Sequence, residues 1–122
     1  MHRCMVKSKI HRVTVTGANL NYQGSITIDK RLMDAAGILP FEFVHVNSLN
    51  SGMHWETYAI PGSDGIICLN GPPARHFQPG DLVVIMGFCY LQDAELNEFQ
   101  HIDVLVNKEN EITNLVHDYD GN

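Results

Sequence analysis

The sequence predicts a mainly β domain, a small closed or nearly closed barrel, on three observations. Apolar and polar residues alternate through several short segments, the period-two signature of half-buried strands. Gly- and Pro-bearing turns separate these segments, as in small all-β domains. Only two stretches carry a clear helical pattern.

Taken in order, Val13 and Val15 alternate with polar neighbours, and Ile26 and Ile28 do the same. "FEFVHV" (Phe41–Val46) and "WETYAI" (Trp55–Ile60) read as two further strands, with "NSLNSG" as the turn between them. "GIICL" (Gly65–Leu69) and "DLVVIMGF" (Asp81–Phe88) are buried runs, and "HIDVLVN" (His101–Asn107) alternates again. The first helical stretch is "DKRLMDAAGIL", with Asp29 as N-cap and Gly37 as the stop. Its apolar stripe is Leu32, Ala35, Ala36 and Leu39. The second is one turn after Pro72-Pro73, since proline suits a first helical position. "LQDAELNEF" carries a weaker helical pattern, and the polar tail "HDYDGN" is expected to fray.

The chain's 122 residues suit one domain, 1–122, with enough apolar content (44%) to bury a core without metals or disulfides. A net charge of −6 with eight Lys and Arg argues against a nucleic-acid partner. The longest apolar run, Leu82–Leu91, is half the length of a membrane-spanning helix, and no apolar segment follows the basic N-terminus. No membrane partner is therefore expected. Three cysteines without CxxC spacing fit a reducing cytoplasm. The seven histidines show no HExxH or HxH pattern, so no metal site is expected from spacing.

One turn carries more chemistry than a turn requires. In "NYQGSIT" a serine follows a glycine between two strands. A serine hydroxyl so placed can attack the preceding carbonyl carbon, breaking the C–N bond and leaving an ester. Planar amides resist this, so the bond is expected to be strained, and glycine tolerates such geometry. Elimination of the ester gives a dehydroalanine, and its hydrolysis frees ammonia and leaves an N-terminal pyruvoyl group. That ketone forms a Schiff base with an amine and accepts electrons when carbon dioxide leaves, as pyridoxal phosphate does. A Gly-Ser pair alone is equally compatible with a plain turn.

The surrounding residues add to this. "KSKIHRVTVTGANLNYQGSITID", "LMDAAGIL", "TYAI", "LNGPPA" and "QPGDLVVI" follow in order from Met1 to about Phe88. In them the chain resembles the pyruvoyl-dependent aspartate 1-decarboxylases, which make β-alanine for pantothenate biosynthesis. The resemblance implies a six-stranded double-psi β-barrel with short helices, a homotetramer, and self-cleavage between Gly24 and Ser25 into chains 1–24 and 25–122. Ser25 would become the pyruvoyl group. Tyr22 would shape the loop and pocket, Thr57 would support cleavage, and Tyr58 would donate a proton after decarboxylation. Lys9 and His11 would lie on the basic strand that helps bind substrate, and Asn70 beside the pyruvoyl group. Whether a maturation factor assists is left open.

Three positions depart from the family pattern, all in the implied substrate pocket. His54 stands where the family has a carboxylate-clamping arginine, and histidine lacks arginine's permanent charge and bidentate fork. "NGPPA" replaces "NGAAA", so beyond Gly71 the residues Pro72 and Pro73 offer no N–H to a substrate. Asn47 stands where an aromatic or bulky residue is common. None touches the cleavage pair. The expected function is α-decarboxylation of an amino acid, with aspartate and another amino acid both open. The alternative is a non-catalytic barrel that binds a small ligand or partner.

Overall fold

A computed structural model describes residues 1–117. It is mainly β, as the alternation predicts: nine strands, one short α-helix and two 3₁₀ turns. The strands are β1 (His2–Thr14), β2 (Gly17–Asn19), β3 (Ser25–Asp29), β4 (Phe43–Ser48), β5 (His54–Gly62), β6 (Ile67–Asn70), β7 (Leu82–Gln92), β8 (Ile102–Val106) and β9 (Ile112–Val116). They hydrogen-bond in the order β2-β6-β3-β5-β4-β7-β1-β8-β9. Among the described residues no ladder joins the two end strands, so the pairing does not form a closed ring.

Alternation decides which side of this sheet is dry. Ile10, Val46, Ile85 and Val104 point inward and are fully buried, as are Ile26, Ile28, Ile67 and Leu69. On the opposite face, Lys9 pairs with Met86, Met86 with His45, and His45 with Glu56. One outer face thus runs across β1, β7, β4 and β5, and it carries polar side chains without burying their charge. β1 keeps its alternation in register with β7 through two irregularities, at Val6/Ser8 and Ile10/Val13. Arg12 sits in the second, with φ +61°, a conformation that a bulge accommodates.

The helix α1 (Lys30–Ala36) is shorter than its pattern suggests. Asp29 caps it by accepting from the Arg31 backbone N–H at 2.8 Å, and Gly37 ends it in the left-handed region. Leu32 and Ala36 are buried as expected. Leu39 lies beyond the cap and is exposed, so it does not belong to the stripe. The terminating glycine outweighs the continued apolar pattern. Phe41 likewise lies outside the strand expected there: it has φ +69°, and β4 starts at Phe43. Both prolines fall in the 3₁₀ turn Pro72–Arg75, and "LQDAELNEF" yields a second 3₁₀ turn, Asp93–Glu98. β2 and β9 were not expected, because β2 is three residues long and β9 is an exposed edge strand. Of the tail expected to fray, residues 118–122 lie outside the described residues. Among the described residues no helix is long and apolar enough to cross a membrane.

Asp29 ties the helix to the loop before β6. Its fully buried carboxylate accepts from the Arg31 guanidinium at 2.7 Å and from the Gly65 N–H at 2.7 Å. Burial pushes the carboxyl pKa up. The Arg31 side chain and the two backbone N–H groups outweigh that, and the net shift is downward. A depressed carboxyl stabilises the fold above its ordinary pKa and loses that contribution as pH falls through the folded value. Asp29→Ala is therefore expected to cost about 2 kcal/mol in urea denaturation at neutral pH, from a lost cap and an orphaned Gly65 N–H. The deficit relative to wild type should shrink as pH falls below about 4.

Candidate active site

The Gly-Ser turn is built by two strands and a glycine. β3 and β6 pair antiparallel with Ser25 opposite Asn70 and Thr27 opposite Cys68. Ser25, Thr27 and Asn70 are thereby placed on one face, and the Asn70 amide bridges the two hydroxyls. Its Nδ2 donates to Ser25 Oγ at 3.0 Å and to Thr27 Oγ1 at 2.9 Å. The Asn70 carbonyl oxygen accepts from Cys68 Sγ at 3.4 Å. Burial raises the Cys68 thiol pKa, keeping it a neutral donor. Ser25 is almost wholly buried, and its hydroxyl donates to the Gln23 carbonyl at 3.4 Å.

The backbone constraint lies across the turn from Gly24. Gly24 itself does not have a positive φ, and a Cβ there would meet only Pro72 Cδ, at 3.7 Å. Gly71 has φ +77°, and a Cβ on it would come within 2.9 Å of Gly24 Cα and 3.1 Å of the Tyr22 carbonyl. Its N–H donates to the Asn19 carbonyl at 2.8 Å. Gly71, with its left-handed φ and no room for a Cβ, is the residue that lets β6 press against the Tyr22–Ser25 turn. Pro72 is exposed beside Gly24, whereas Pro73 is buried. Only the first of the two prolines therefore borders the turn.

The remaining expected residues divide into three groups. On β5, Ala59 pairs with Ile26 of β3, which puts Tyr58 one step along, beside Ser25. The Tyr58 ring stacks on Phe41, with centroids 5.9 Å apart. Thr57 is paired with Val44; among the described residues the Ser25 hydroxyl is held by Asn70 instead. Farther along the same hairpin, His54 is opposite Asn47. Its Nδ1 is 2.6 Å from Asn47 Oδ1, and its Nε2 is 2.9 Å from Glu56 Oε2. The hydrogen bond from His54 draws the Glu56 pKa down.

Lys9 and His11 form the third group, on a strand that does not pair with β3. They lie on β1, four strand steps from β3 in the pairing order, about 19 Å along the sheet at ~4.8 Å per step. The Lys9 ammonium is 4.0 Å from Asp103 Oδ1. His11 lines a separate hollow with Arg12, Leu82 and Leu105. Sequence reasoning missed Glu56, His45 and Cys68. The hairpin register was the signal for the first two, since alternation puts residues 45, 47, 54 and 56 on one face.

Gly71→Ala tests the turn constraint. A left-handed φ costs a non-glycine residue about 1–2 kcal/mol, and the methyl group would also strike backbone. We expect a lower melting temperature by calorimetry and a displaced Tyr22–Ser25 turn. Gly24→Ala should cost less, because its Cβ meets only an ordinary contact.

Comparison with known proteins finds relatives over nearly the whole chain. Residues 1–113 match the aspartate decarboxylase family model. An aspartate 1-decarboxylase of Clostridium acetobutylicum is 52% identical over 117 residues, covering 94% of this chain and 92% of the relative. That of Clostridium novyi is 49% identical over 120 residues, covering 97% of each. That of Thermoanaerobacter pseudethanolicus is 48% identical over 117 residues, covering 94% of this chain and all of the relative. With the Gly24–Ser25 turn, the Asn70–Gly71 support and Tyr58 all inside the matched span, the chain belongs to the aspartate decarboxylase family.

Proposed function

We propose that this protein decarboxylates L-aspartate at its α-carbon, giving β-alanine and carbon dioxide, after cleavage between Gly24 and Ser25. The observation that carries the reading is the buried Ser25 hydroxyl, held by Asn70 next to a glycine carbonyl in a chain of this family. Relatives about half identical over most of the chain bear the name aspartate 1-decarboxylase, which favours aspartate over another amino acid. No observation favours a non-catalytic barrel.

The residues around Ser25 fit a pyruvoyl group formed there. Asn70 holds the hydroxyl of the uncleaved chain, Gly71 brings the backbone close, and Pro72 shields one side of Gly24. When formed, the group supplies a ketone that captures the substrate amine and takes up the electrons released with carbon dioxide. Tyr58, beside Ser25 and steadied by Phe41, is the proton donor in this reading. Thr57 precedes it and supports the cleavage intermediate. His54 and Asn47 would face the substrate from the neighbouring part of the hairpin, with Gly71, Pro72 and Tyr22 on the cleavage side. Pro73 is buried and acts through packing alone.

In this reading Lys9 and His11 come from a neighbouring subunit, since β1 is four strand steps from β3 in the pairing order. The proposed assembly is a homotetramer of six-stranded double-psi barrels working in the cytoplasm. Exposed Phe41, Phe43, Leu39 and Tyr90 supply apolar surface for subunit contacts, and the three cysteines are free. A maturation factor would act on the exposed Tyr22 side of the turn.

The direct test is carbon dioxide and β-alanine release from aspartate. Wild type should be active and Ser25→Ala inactive; an active Ser25→Ala protein would overturn the reading. A shared site predicts subunit complementation. Lys9→Ala and Ser25→Ala, each defective alone, should recover measurable activity when co-expressed, because some interfaces pair an intact Lys9 with an intact Ser25. No recovery in a verified mixed tetramer would place Lys9 and Ser25 in separate roles.

A further inference from the structure

We propose that His45, His54 and Glu56 form a binding site for a divalent transition cation of the zinc class on the outer face of the β4–β5 hairpin. One ligand atom from each of the three residues lies within 4.8 Å of the other two. The register explains why: His45 is directly opposite Glu56, and His54 is opposite Asn47 two residues away. The two imidazoles are therefore diagonal neighbours on one face. Their rings are 4.8 Å apart and nearly perpendicular, at 82°, so nitrogens from both can aim at one point. Zinc bonds nitrogen and oxygen at about 2.0–2.2 Å, which spaces tetrahedral ligand atoms about 3.3 Å apart. The three groups approach that spacing with side-chain adjustment alone.

The hydrogen bonding of His54 points the same way. A ligating histidine commonly gives its second ring N–H to a carbonyl or carboxylate, which fixes the tautomer. With Asn47 Oδ1 accepting from His54 Nδ1–H, 2.6 Å away, the other ring nitrogen, Nε2, is the ligand and lies 2.9 Å from Glu56 Oε2; a cation there takes the place of the proton that otherwise joins the two. The His45 ring brings the third donor and is held against Phe88, with centroids 4.4 Å apart, and Phe43, at 5.3 Å. The neighbouring strand β7 presents Met86 beside His45 and Val84 beside Asn47, so no cationic side chain of that strand competes. His54 and Glu56 are about half exposed, which gives a cation access. Three protein ligands leave one tetrahedral position for solvent or a small anion.

The site is invisible to spacing motifs because its ligands come from two strands, and it shares His54 and Asn47 with the proposed substrate side, so metal binding is measured without aspartate present. The test is calorimetric titration of zinc into the chelator-stripped, assembled protein, repeated with cobalt(II) followed by visible absorption. We expect saturation at one zinc per chain, cobalt bands of tetrahedral intensity, and a zinc-dependent rise in melting temperature. His45→Ala and Glu56→Gln should each weaken zinc at least tenfold, and Asn47→Ala about tenfold through the lost orientation of His54. His2→Ala and His76→Ala should not change it. The variants' melting temperatures without metal verify folding, and all changed side chains are at least partly exposed. Absence of zinc heat and cobalt bands would overturn the proposal, as would affinity unchanged in His45→Ala or weakened equally in the two control variants.

Discussion

The close approach of Gly71 to the Tyr22–Gly24 backbone is the constraint on which the site depends. A Cβ at Gly71 would sit 2.9 Å from Gly24 Cα, and its φ of +77° excludes most residues on other grounds. Because Gly71 is that small, the end of β6 reaches the turn before β3. Because β6 reaches the turn, Asn70 stands opposite Ser25 and its amide can hold the serine hydroxyl. A reactive hydroxyl kept in a dry, hydrogen-bonded place follows from a glycine one strand away.

The second organising feature is the division of the sheet into a dry inner face and a polar outer one. The inner face is mostly β-branched and aliphatic, with Ser8 and Ser48 buried among those residues. The outer face carries Lys9, His45, Asn47, His54, Glu56 and Tyr58 on three different strands. Period-two alternation costs nothing in stability here, since each polar residue is matched by an apolar one pointing inward. Lys9 and Ser25 stand on strands four pairing steps apart, a separation set by strand order and not by alternation.

Much of this was legible in the sequence. Alternation marked β3, β4, β5 and β8, a continuous apolar run marked β7, and Asp29 and Gly37 marked both ends of α1. The limits have physical causes. Leu39 continues the helical apolar pattern, but a left-handed Gly37 ends the helix first. β9 has no buried residue, so burial periodicity had nothing to report. At the site, Ser25 and Asn70 were readable from their motifs, but their mutual hydrogen bond is a product of strand register. The glycine that packing requires at the turn is Gly71, across from the reacting bond, because a glycine can be required by what it packs against. His45 and Glu56 were passed over for the same reason: their company is set across strands, not along the chain.

The account stands on the Gly24–Ser25 bond. Intact mass measurement of the purified protein tests it most directly. The account predicts two chains, residues 1–24 and 25–122, the second beginning with a ketone and lacking a free amino terminus. A single chain of 122 residues that persists through prolonged warm incubation, with or without extract of the native host, would contradict it.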